Sequence, residues 1–472
     1  MLEKLFKLKE NQTNARTEIM AGLTTFFTMV YIVAVQPEML QQAGMNYNAV
    51  FVASILAAVV GTLVMALYAN VPYAQACGMG LNAFFTFTVV LAMNYSWQQA
   101  LGLVFICGIF NMLITFTSIR KILIKAIPET LQNAIGGGIG LFIAYMGMKN
   151  GGLLTFSANA GSYADVGGGT LAIDSSAVPA LNLSSNTAIL CLIGLFIMVI
   201  LHTMKVKGAI IIGIVAATLI GIPMGITEVP DKILSFSAIG DIKYTFGAVF
   251  TSEGLPSLFS DPGKIISVLL IAFSFTLTDT FDTIGTFIGT GVSSGIFSKD
   301  EMEQFEKSDK KFNTRLDKAL VADSVASSVA SIIGTSNVTT FVESASGIAA
   351  GGRTGLTSFV VAVLFLLCLP FSPFFGMIPA VATAPALILV GVLMSGSLKN
   401  IEWNDFEEAM PAFITVLLMT LSYSITNGIA AGFIFYCVVK IAKGKFKEIH
   451  PVLLVATLLF ILNFTLTALG IA

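Results

Sequence analysis

Four carboxylic acids stand inside long apolar segments of this chain, away from any basic partner. They are Asp279, Asp282, Asp323 and Glu343. An ionisable side chain in a bilayer costs at least about 2.5–3.5 kcal/mol, so such residues usually mark a binding site or a proton pathway. No lysine or arginine lies deep in these segments. An acid-only site repels anions, and it suits a proton, Na⁺ or an uncharged molecule that offers N–H donors.

The spacing of these acids indicates which of them work together. Asp279 and Asp282 lie three residues apart in TLTDTFDTIGT, so both project from one face of a helix. Glu343 belongs to a short, irregular segment. Asp323 lies near the end of its own segment, where a helix-terminal or network role fits as well as a functional one.

Two irregular segments are expected to position the acids. They read AQACGMGLNAFFTF and GTSNVTTFVESASGIAAGG, with Gly, Ser, Thr and Asn at their starts. A short helix entered through an extended segment leaves backbone N–H groups free at its N-terminus, inside the protein. We expect two such N-termini to form a pocket at mid-membrane depth. The alternative is a pair of tilted helices that pack through small residues.

The composition requires a membrane protein. Of the 472 residues, 56% are hydrophobic and 11% are charged, whereas a soluble protein has about 25% charged residues. The net charge of −2 gives no basic field to attract nucleic acid. At roughly 17–25 apolar residues for each crossing, the sequence predicts an all-α polytopic protein with fourteen transmembrane spans. They lie near 19–37, 47–69, 76–93, 98–117, 133–149, 186–204, 208–227, 263–290, 317–334, 337–350, 354–372, 376–397, 409–425 and 427–441, and a further apolar segment covers 450–470.

The basic residues predict the orientation of these spans. Lysines and arginines cluster before the first span and in the loops after most of the even-numbered spans. Such loops remain in the cytoplasm, so we expect a cytoplasmic N-terminus and a location in the plasma membrane. Fourteen spans divide into two sevens of opposite orientation, which is a transporter architecture with a binding site near the midplane. Whether 450–470 also crosses the membrane stays open.

Four sequence strings carry a family resemblance that runs from about residue 8 to 447. They are NARTEIMAGLTTFFTMVYI, GMGLNAFFTF, TDTFDTIGT and GTSNVTTFVESASGIAAGGRTGLTS. With them the chain resembles the AzgA-like purine permeases of the nucleobase–cation symporter superfamily. The resemblance implies the uracil-permease-like fold, with two inverted seven-span repeats and short strands before half-helices in spans 3 and 10. It also implies a core domain (18–117 and 263–372) that moves against a gate domain (133–227 and 376–441).

The resemblance also implies roles for individual residues. Asp279 and Glu343 would hold the purine, while Asn82 and Asp282 would support the site. The other binding residues expected there are Gly80, Phe281 and Val342, and Asp323 and Thr278 are expected to assist proton coupling or site support, with Asp282 and Glu343. Stacking surface for a planar ring could come from Phe84, Phe85, Phe281 and Phe341.

The sequence therefore predicts a symporter, not an enzyme, that imports hypoxanthine and guanine with a proton. Adenine as the substrate and Na⁺ as the coupling ion are the alternatives. A channel fits less well because the acids converge on one locus instead of lining a continuous stripe, and an intramembrane aspartyl protease fits poorly. We expect no metal site and no cofactor. The partners are the purine and the lipid bilayer, and the oligomeric state, a homodimer included, stays open.

Overall fold

The computed structural model describes residues 2–117, 126–157, 163–165, 170–172, 178–287, 290, 295–297 and 314–468. Its helices that correspond to the expected apolar segments are numbered here α1 to α15. They are α1 (Ala15–Gln41), α2 (Tyr47–Ala69), α3 (Met79–Ala92), α4 (Trp97–Phe116), α5 (Glu129–Asn150), α6 (Asn186–Thr203), α7 (Ala209–Gly221), α8 (Ile265–Thr286), α9 (Arg315–Ile333), α10 (Ser344–Ala349), α11 (Gly355–Leu367), α12 (Ala380–Met394), α13 (Phe406–Leu421), α14 (Ile425–Ala442) and α15 (Pro451–Ala468).

Within the described residues, six helices are long and apolar enough to cross a membrane. They are α1, α2, α4, α6, α14 and the helix Ala380–Asn400, which extends α12. Several other apolar helices are shorter, among them α3, α7 and α11. The chain is thus a helical polytopic membrane protein, and the count of fourteen crossings stays a prediction.

Two short strands precede α3 and α10. β1 (Gln75–Cys77) pairs antiparallel with β6 (Val338–Thr340), with Ala76 opposite Thr339. The extended segments expected before these two helices are therefore confirmed. Both strands are buried, and their pairing satisfies backbone N–H and C=O groups that water cannot reach.

Four more strands lie between α5 and α6, outside the spans predicted from the sequence. β2 (Leu154–Ser157) pairs with β5 (Val178–Leu181), and β3 (Tyr163–Asp165) pairs with β4 (Thr170–Ala172). The chain is therefore not purely α-helical. These paired strands form outside the predicted apolar segments, and each has only three or four residues, too few for a periodic pattern to identify it.

The helices pack in two groups. The first contains α1 to α4 with α8 to α11, and the second contains α5 to α7 with α12 to α14. The most extensive packings lie within a group, such as α4 with α9 and α5 with α12. α15 packs against α14 and α8. Small residues permit the close approach, because a side chain at Gly140 of α5 would collide with the Gly391 carbonyl of α12, and the reverse.

A buried carboxylate joins the beginnings of α1 and α11. Glu18 accepts hydrogen bonds from the amides of Arg353 (2.8 Å), Thr354 (3.3 Å) and Thr357 (3.3 Å), and from the Thr357 hydroxyl (2.6 Å). Amide donors at a helix N-terminus stabilise a negative charge. Glu18 therefore compensates the unpaired amides at the start of α11.

Candidate functional site

The β1–β6 pair lies where α3 and α10 begin. Gly78 donates its amide hydrogen to the Asn337 carbonyl (3.1 Å), and α3 starts one residue later. The first amides of α3 have no acceptor within the helix, so they are available to a ligand. Gly80, in this first turn, lies against Ile139 of α5, because a Cβ at Gly80 would stand 2.9 Å from the Ile139 methyl group. The start of α3 thus faces the second helix group.

Glu343 lies just before α10 and is held by α1. The Tyr31 hydroxyl donates a hydrogen bond of 2.9 Å to Glu343 Oε1. Tyr31 is almost fully buried and occupies the turn between Ala15–Met29 and Ile32–Gln41, the two parts of α1. Val342, beside Glu343, is 56% exposed. In this turn, Val342 is therefore exposed, while Glu343 is held by its hydrogen bond to Tyr31.

Asp282 faces the same region. It is partly exposed, and it lies close enough to Asp323 and Glu343 for the three charges to interact. Its Oδ2 is also 3.7 Å from the position that a Cβ on Gly78 would occupy. The structure therefore brings Asp282, Glu343 and the approach to α3 together.

Asp323 of α9 contacts both strands and α8. It accepts hydrogen bonds from the side chains of Gln75 (3.1 Å) and Thr340 (2.8 Å), which are opposite each other in the β1–β6 pair. It also accepts one from the Thr283 hydroxyl (2.8 Å) on α8. Because β1, β6 and α8 all donate to one carboxylate, Asp323 fixes the strands relative to Asp282.

Asp279 faces away from this group and into the packing of α4 and α9. Asn111 donates to Asp279 Oδ2 (2.6 Å), and the Ser327 hydroxyl lies 3.2 Å from the same oxygen. Asp279 is fully buried. The predicted roles, Asp279 in binding the purine and Asp282 in supporting the site, stay predictions. The structure places Asp282 near Glu343 and encloses Asp279 between α4 and α9.

Asn82 and Thr278, two of the predicted site residues, are both buried. The Ser336 hydroxyl donates to Asn82 Oδ1, and Asn82 Nδ2 lies 3.4 Å from the Cys77 carbonyl. These contacts join α3 to the ends of both strands. Thr278 is 3% exposed, and its hydroxyl has no hydrogen-bond partner among the described residues.

Most of the aromatic side chains predicted to stack on the purine are buried inside the protein. Phe84 stacks on Phe275 with ring centroids 4.2 Å apart, and both Phe84 and Phe85 are fully buried. Phe341 is 5% exposed. The side chain of Phe281 lies outside the part of the chain that the structure describes.

Three residues near the acids were missed by the sequence analysis. Tyr31 lies within the string TMVYI, and Asn111 is a lone amide in the apolar string GIFNMLITF. A polar side chain alone in an apolar helix is a signal that could have identified Asn111. Ser327 is hidden in a helix with many serines, so its type alone could not distinguish it.

A large groove lies apart from the acids. It has a volume of about 780 Å³ and is lined mainly by apolar side chains of α1, α7, α11 and the segment that follows α11, together with Lys207 just before α7. Phe26, Ile211 and Leu364 are typical members of the lining. Such a surface suits hydrocarbon chains and offers almost no hydrogen-bond partner for a heterocycle, so the candidate site is the acidic region.

Sequence comparison places the chain among permeases. The profile of the permease family Xan_ur_permease matches residues 16–431. The chain is 42% identical to the adenine permease AdeP of Escherichia coli strain K12, with 98% of this chain and 96% of the relative covered. It is also 42% identical to the guanine/hypoxanthine permease PbuO of Bacillus subtilis strain 168, with 97% and 99% covered. The guanine/hypoxanthine permease PbuG of the same bacterium is 37% identical, with 98% and 99% covered.

Solved structures with a similar backbone are membrane transporters. The transmembrane domain of the cyanobacterial bicarbonate transporter BicA superposes with a TM-score of 0.59 at 15% identity, covering 87% of this chain and 97% of that one. Murine Slc26a9, an anion transporter in its inward-facing state, gives 0.59 at 13% identity, covering 91% and 68%. At these identities the likeness concerns the fold alone, a helical polytopic membrane transporter fold.

Proposed function

This chain belongs to the permease family, and on that premise we propose that it is a secondary active transporter that imports purine nucleobases across the plasma membrane. One observation supports the proposal: Asp282 lies close enough to Glu343 for their charges to interact, and its Oδ2 is 3.7 Å from the position of a Cβ on Gly78, just before the first amides of α3. Relatives at 42% identity are named for adenine and for guanine/hypoxanthine. The basic loops orient the N-terminus towards the cytoplasm.

The acidic region suits an uncharged ring with N–H donors. An ionised carboxylate offers only acceptor positions, so ring N–H groups would donate to Asp282 and Glu343. A ring carbonyl would accept from the first amides of α3, near Gly80. Together, the two carboxylates and the α3 amides would bind one edge of the purine through both acceptors and donors.

The preferred purine follows from the carbonyl. Hypoxanthine and guanine carry an oxygen at position six, which the amides of α3 can satisfy, whereas adenine carries an amino group there. A buried donor or acceptor left unpaired costs about 1–3 kcal/mol, which corresponds to about five- to more than a hundredfold in affinity. We therefore favour the oxopurines, with adenine as the alternative substrate.

Transport would proceed by alternating access. We assign the core domain to the first helix group and the gate domain to the second, with the purine between α3 and α5. Asp282 and Glu343 travel with the core, so motion of the core against the gate would expose them to each side in turn. A proton supplies the driving force in this proposal, and Na⁺ is the alternative.

Uptake by cells that express the protein tests the proposal. Radiolabelled hypoxanthine should accumulate, unlabelled guanine should compete strongly, and Asp282→Asn or Glu343→Gln should reduce uptake at least tenfold, because each removes an ionised acceptor. Glu402→Gln is the matched control, since Glu402 is an exposed carboxylate. A protonophore should abolish accumulation, while persistence without a proton gradient but dependence on Na⁺ would indicate the other ion. Background uptake of hypoxanthine, guanine and adenine alike would overturn the proposal.

A further inference from the structure

The apolar groove lies along the boundary between the two helix groups. One wall is formed by α1 and α11 of the first group, and the other by α7 of the second. At one end the walls touch, because a Cβ at Gly208 would stand 2.9 Å from the Phe27 carbonyl oxygen. Lining residues such as Leu219 (56% exposed) and Leu367 (60% exposed) leave the groove open to its surroundings. An exposed apolar surface of this kind in a membrane protein faces lipid.

The length of the groove matches one leaflet of a bilayer. It extends along α7 from Lys207, just before the helix, to Leu219. At a rise of 1.5 Å per residue, this distance is about 18 Å. The hydrocarbon layer of a bilayer is about 30 Å thick, so one leaflet contributes about 15 Å. The groove is therefore long enough to hold an acyl chain of a lipid in one leaflet.

The charge at one end of the groove selects the headgroup. Among the lining residues that the structure describes, Lys207 alone carries a charge. Its Nζ lies 3.4 Å from the Thr24 hydroxyl, and neither Lys207 nor its neighbour Lys205 pairs with a carboxylate of the described residues. A positive charge without a counter-charge, at the end of an apolar groove, is complementary to an anionic headgroup on an acyl chain.

The position of the lysines in the chain agrees with this arrangement. Lys205 and Lys207 belong to the short loop MKVKG that connects α6 to α7. Short basic loops lie on the cytoplasmic side, where the surface of an anionic leaflet attracts lysines. A lysine can also lay its methylene groups along an apolar surface while its ammonium group reaches the headgroup.

We propose that this groove is a binding site for an anionic phospholipid. One acyl chain lies between α7 and the wall of α1 and α11, and the phosphate lies at Lys207. Because the walls belong to different helix groups, the lipid contacts both and stabilises the arrangement in which the groove has this shape. Binding of the lipid does not depend on the proposed function, whereas its effect on transport does.

Native mass spectrometry of purified, delipidated protein tests the site. Palmitoyl-oleoyl phosphatidylglycerol and palmitoyl-oleoyl phosphatidylcholine are added at equal concentration. The unaltered protein should retain phosphatidylglycerol about fivefold more than phosphatidylcholine, the contribution of one lysine near an anionic surface. Lys207→Gln should retain the two lipids equally. Equal retention by the unaltered protein would overturn the proposal, because the groove would then select no headgroup.

Two control variants separate the charge of Lys207 from its other roles. Lys232→Gln removes an exposed lysine outside the groove and should keep the preference for phosphatidylglycerol. Thr24→Val removes the hydroxyl that Lys207 contacts but leaves the charge in place, so it should keep the preference as well. Loss of the preference in Thr24→Val would contradict the proposal, because the contact between the helix groups would then be the cause.

Ala216→Phe tests the groove itself, since it places a ring in the lining of α7. Retention of phosphatidylglycerol should fall to background, while the melting temperature in lipid-free detergent stays within about 2 °C of the unaltered protein. Undiminished retention would place the lipid elsewhere and overturn the proposal. If this variant does not fold, Lys207→Gln still decides the question.

Proteoliposomes test the effect on transport. Adding phosphatidylglycerol to phosphatidylcholine vesicles should slow hypoxanthine uptake by the unaltered protein up to about fivefold, because the lipid favours one arrangement of the helix groups. Uptake by Lys207→Gln should not change. An equal effect on both proteins would contradict action through this groove. Absence of hypoxanthine uptake from every vesicle would refute the proposed function, whereas retention of phosphatidylglycerol would still report on the lipid site.

Discussion

At the scale of single residues, one hydroxyl fixes the orientation of Glu343. Tyr31 donates to its Oε1 from the turn inside α1. Tyr31→Phe removes this bond while it keeps the ring and its packing. A hydrogen bond to a charged group contributes about 1.5–3 kcal/mol, so we expect hypoxanthine affinity to fall about tenfold or more, measured by scintillation binding.

The same change at Tyr47 provides the control. The Tyr47 hydroxyl is buried without a hydrogen-bond partner among the described residues, so Tyr47→Phe should leave hypoxanthine affinity within about twofold. If Tyr31→Phe binds hypoxanthine as well as Tyr47→Phe does, Glu343 does not need its tyrosine partner, and its role in the site would have to be reconsidered.

The sequence identifies the acids but not their directions. Asp279, Asp282, Asp323 and Glu343 stand out because charged residues are rare in apolar segments. Three residues of spacing, however, place Asp279 and Asp282 on one broad helix face, and the rotation of α8 against α4 and α9 decides which acid is enclosed. That rotation depends on tertiary packing, and the sequence of α8 alone does not predict it.

At the scale of elements, the crossing of α5 and α12 depends on two glycines. The backbones at Gly140 and Gly391 approach so closely that neither position has space for a Cβ. We expect Gly391→Leu to destabilise the protein by at least about 2 kcal/mol, because the helices must separate. Its melting temperature in detergent should fall by several degrees. Gly396→Leu is the control, since a Cβ there meets no atom within 4 Å, and an equal loss in both variants would contradict this account.

A network of charged side chains joins the start of α13 to the end of α14 and the residues that follow it. Glu407, which precedes the predicted span 409–425, pairs with Lys440 (3.1 Å), Lys443 (2.8 Å) and Lys445 (2.8 Å). Hydrogen bonds from Lys443, then from Lys445 and Lys440, lower the pKa of Glu407 from 4.5 to about 2. A carboxyl group with a lowered pKa stabilises the fold fully above its unfolded pKa, and this contribution disappears as the pH falls towards 2.

We therefore expect the unaltered protein to lose melting temperature between about pH 4.5 and pH 2 more steeply than Glu407→Gln does. The variant has no carboxyl group to protonate, so its curve should be flatter over this interval and lower above it. Glu402→Gln, on an exposed residue, should follow the unaltered protein. Parallel curves for Glu407→Gln and the unaltered protein would show that the network does not contribute through ionisation.

The elements themselves were largely predictable where the polar pattern is unusual. Gly, Ser, Thr and Asn at the starts of the third and tenth segments predicted an extended stretch of chain before each helix. β1 and β6 are these extended stretches. The pairing of β1 with β6 was not visible, because the partners lie 265 positions apart at Gln75 and Thr340. The strands between α5 and α6 were not predicted, because strands of three or four residues are too short for their pattern to identify them.

At the scale of the whole molecule, transport by relative motion requires contacts between the two helix groups to break and re-form. One such contact joins Lys207, just before α7, to the Thr24 hydroxyl of α1 (3.4 Å). Cysteines at these two positions, joined by a bifunctional methanethiosulfonate about as long as a lysine side chain, should hold the groups in this arrangement. Hypoxanthine uptake should stop, the melting temperature should not fall, and a reductant should restore uptake.

A control cross-link between a second pair of residues distinguishes loss of uptake through immobilisation from loss of uptake through chemical damage. Asn48 of α2 and Asp241 are hydrogen-bonded (3.0 Å), and the segment Ser237–Tyr244 that carries Asp241 packs on α2. Their cross-link stays within the first group, so rigid-body motion of core against gate would leave it unstrained and uptake should continue. Because the native cysteines of the chain are buried, the reagent meets the introduced thiols first. Uptake that survives the Thr24–Lys207 cross-link would mean that these groups need not separate, and purine would have to cross by a local opening near Val342.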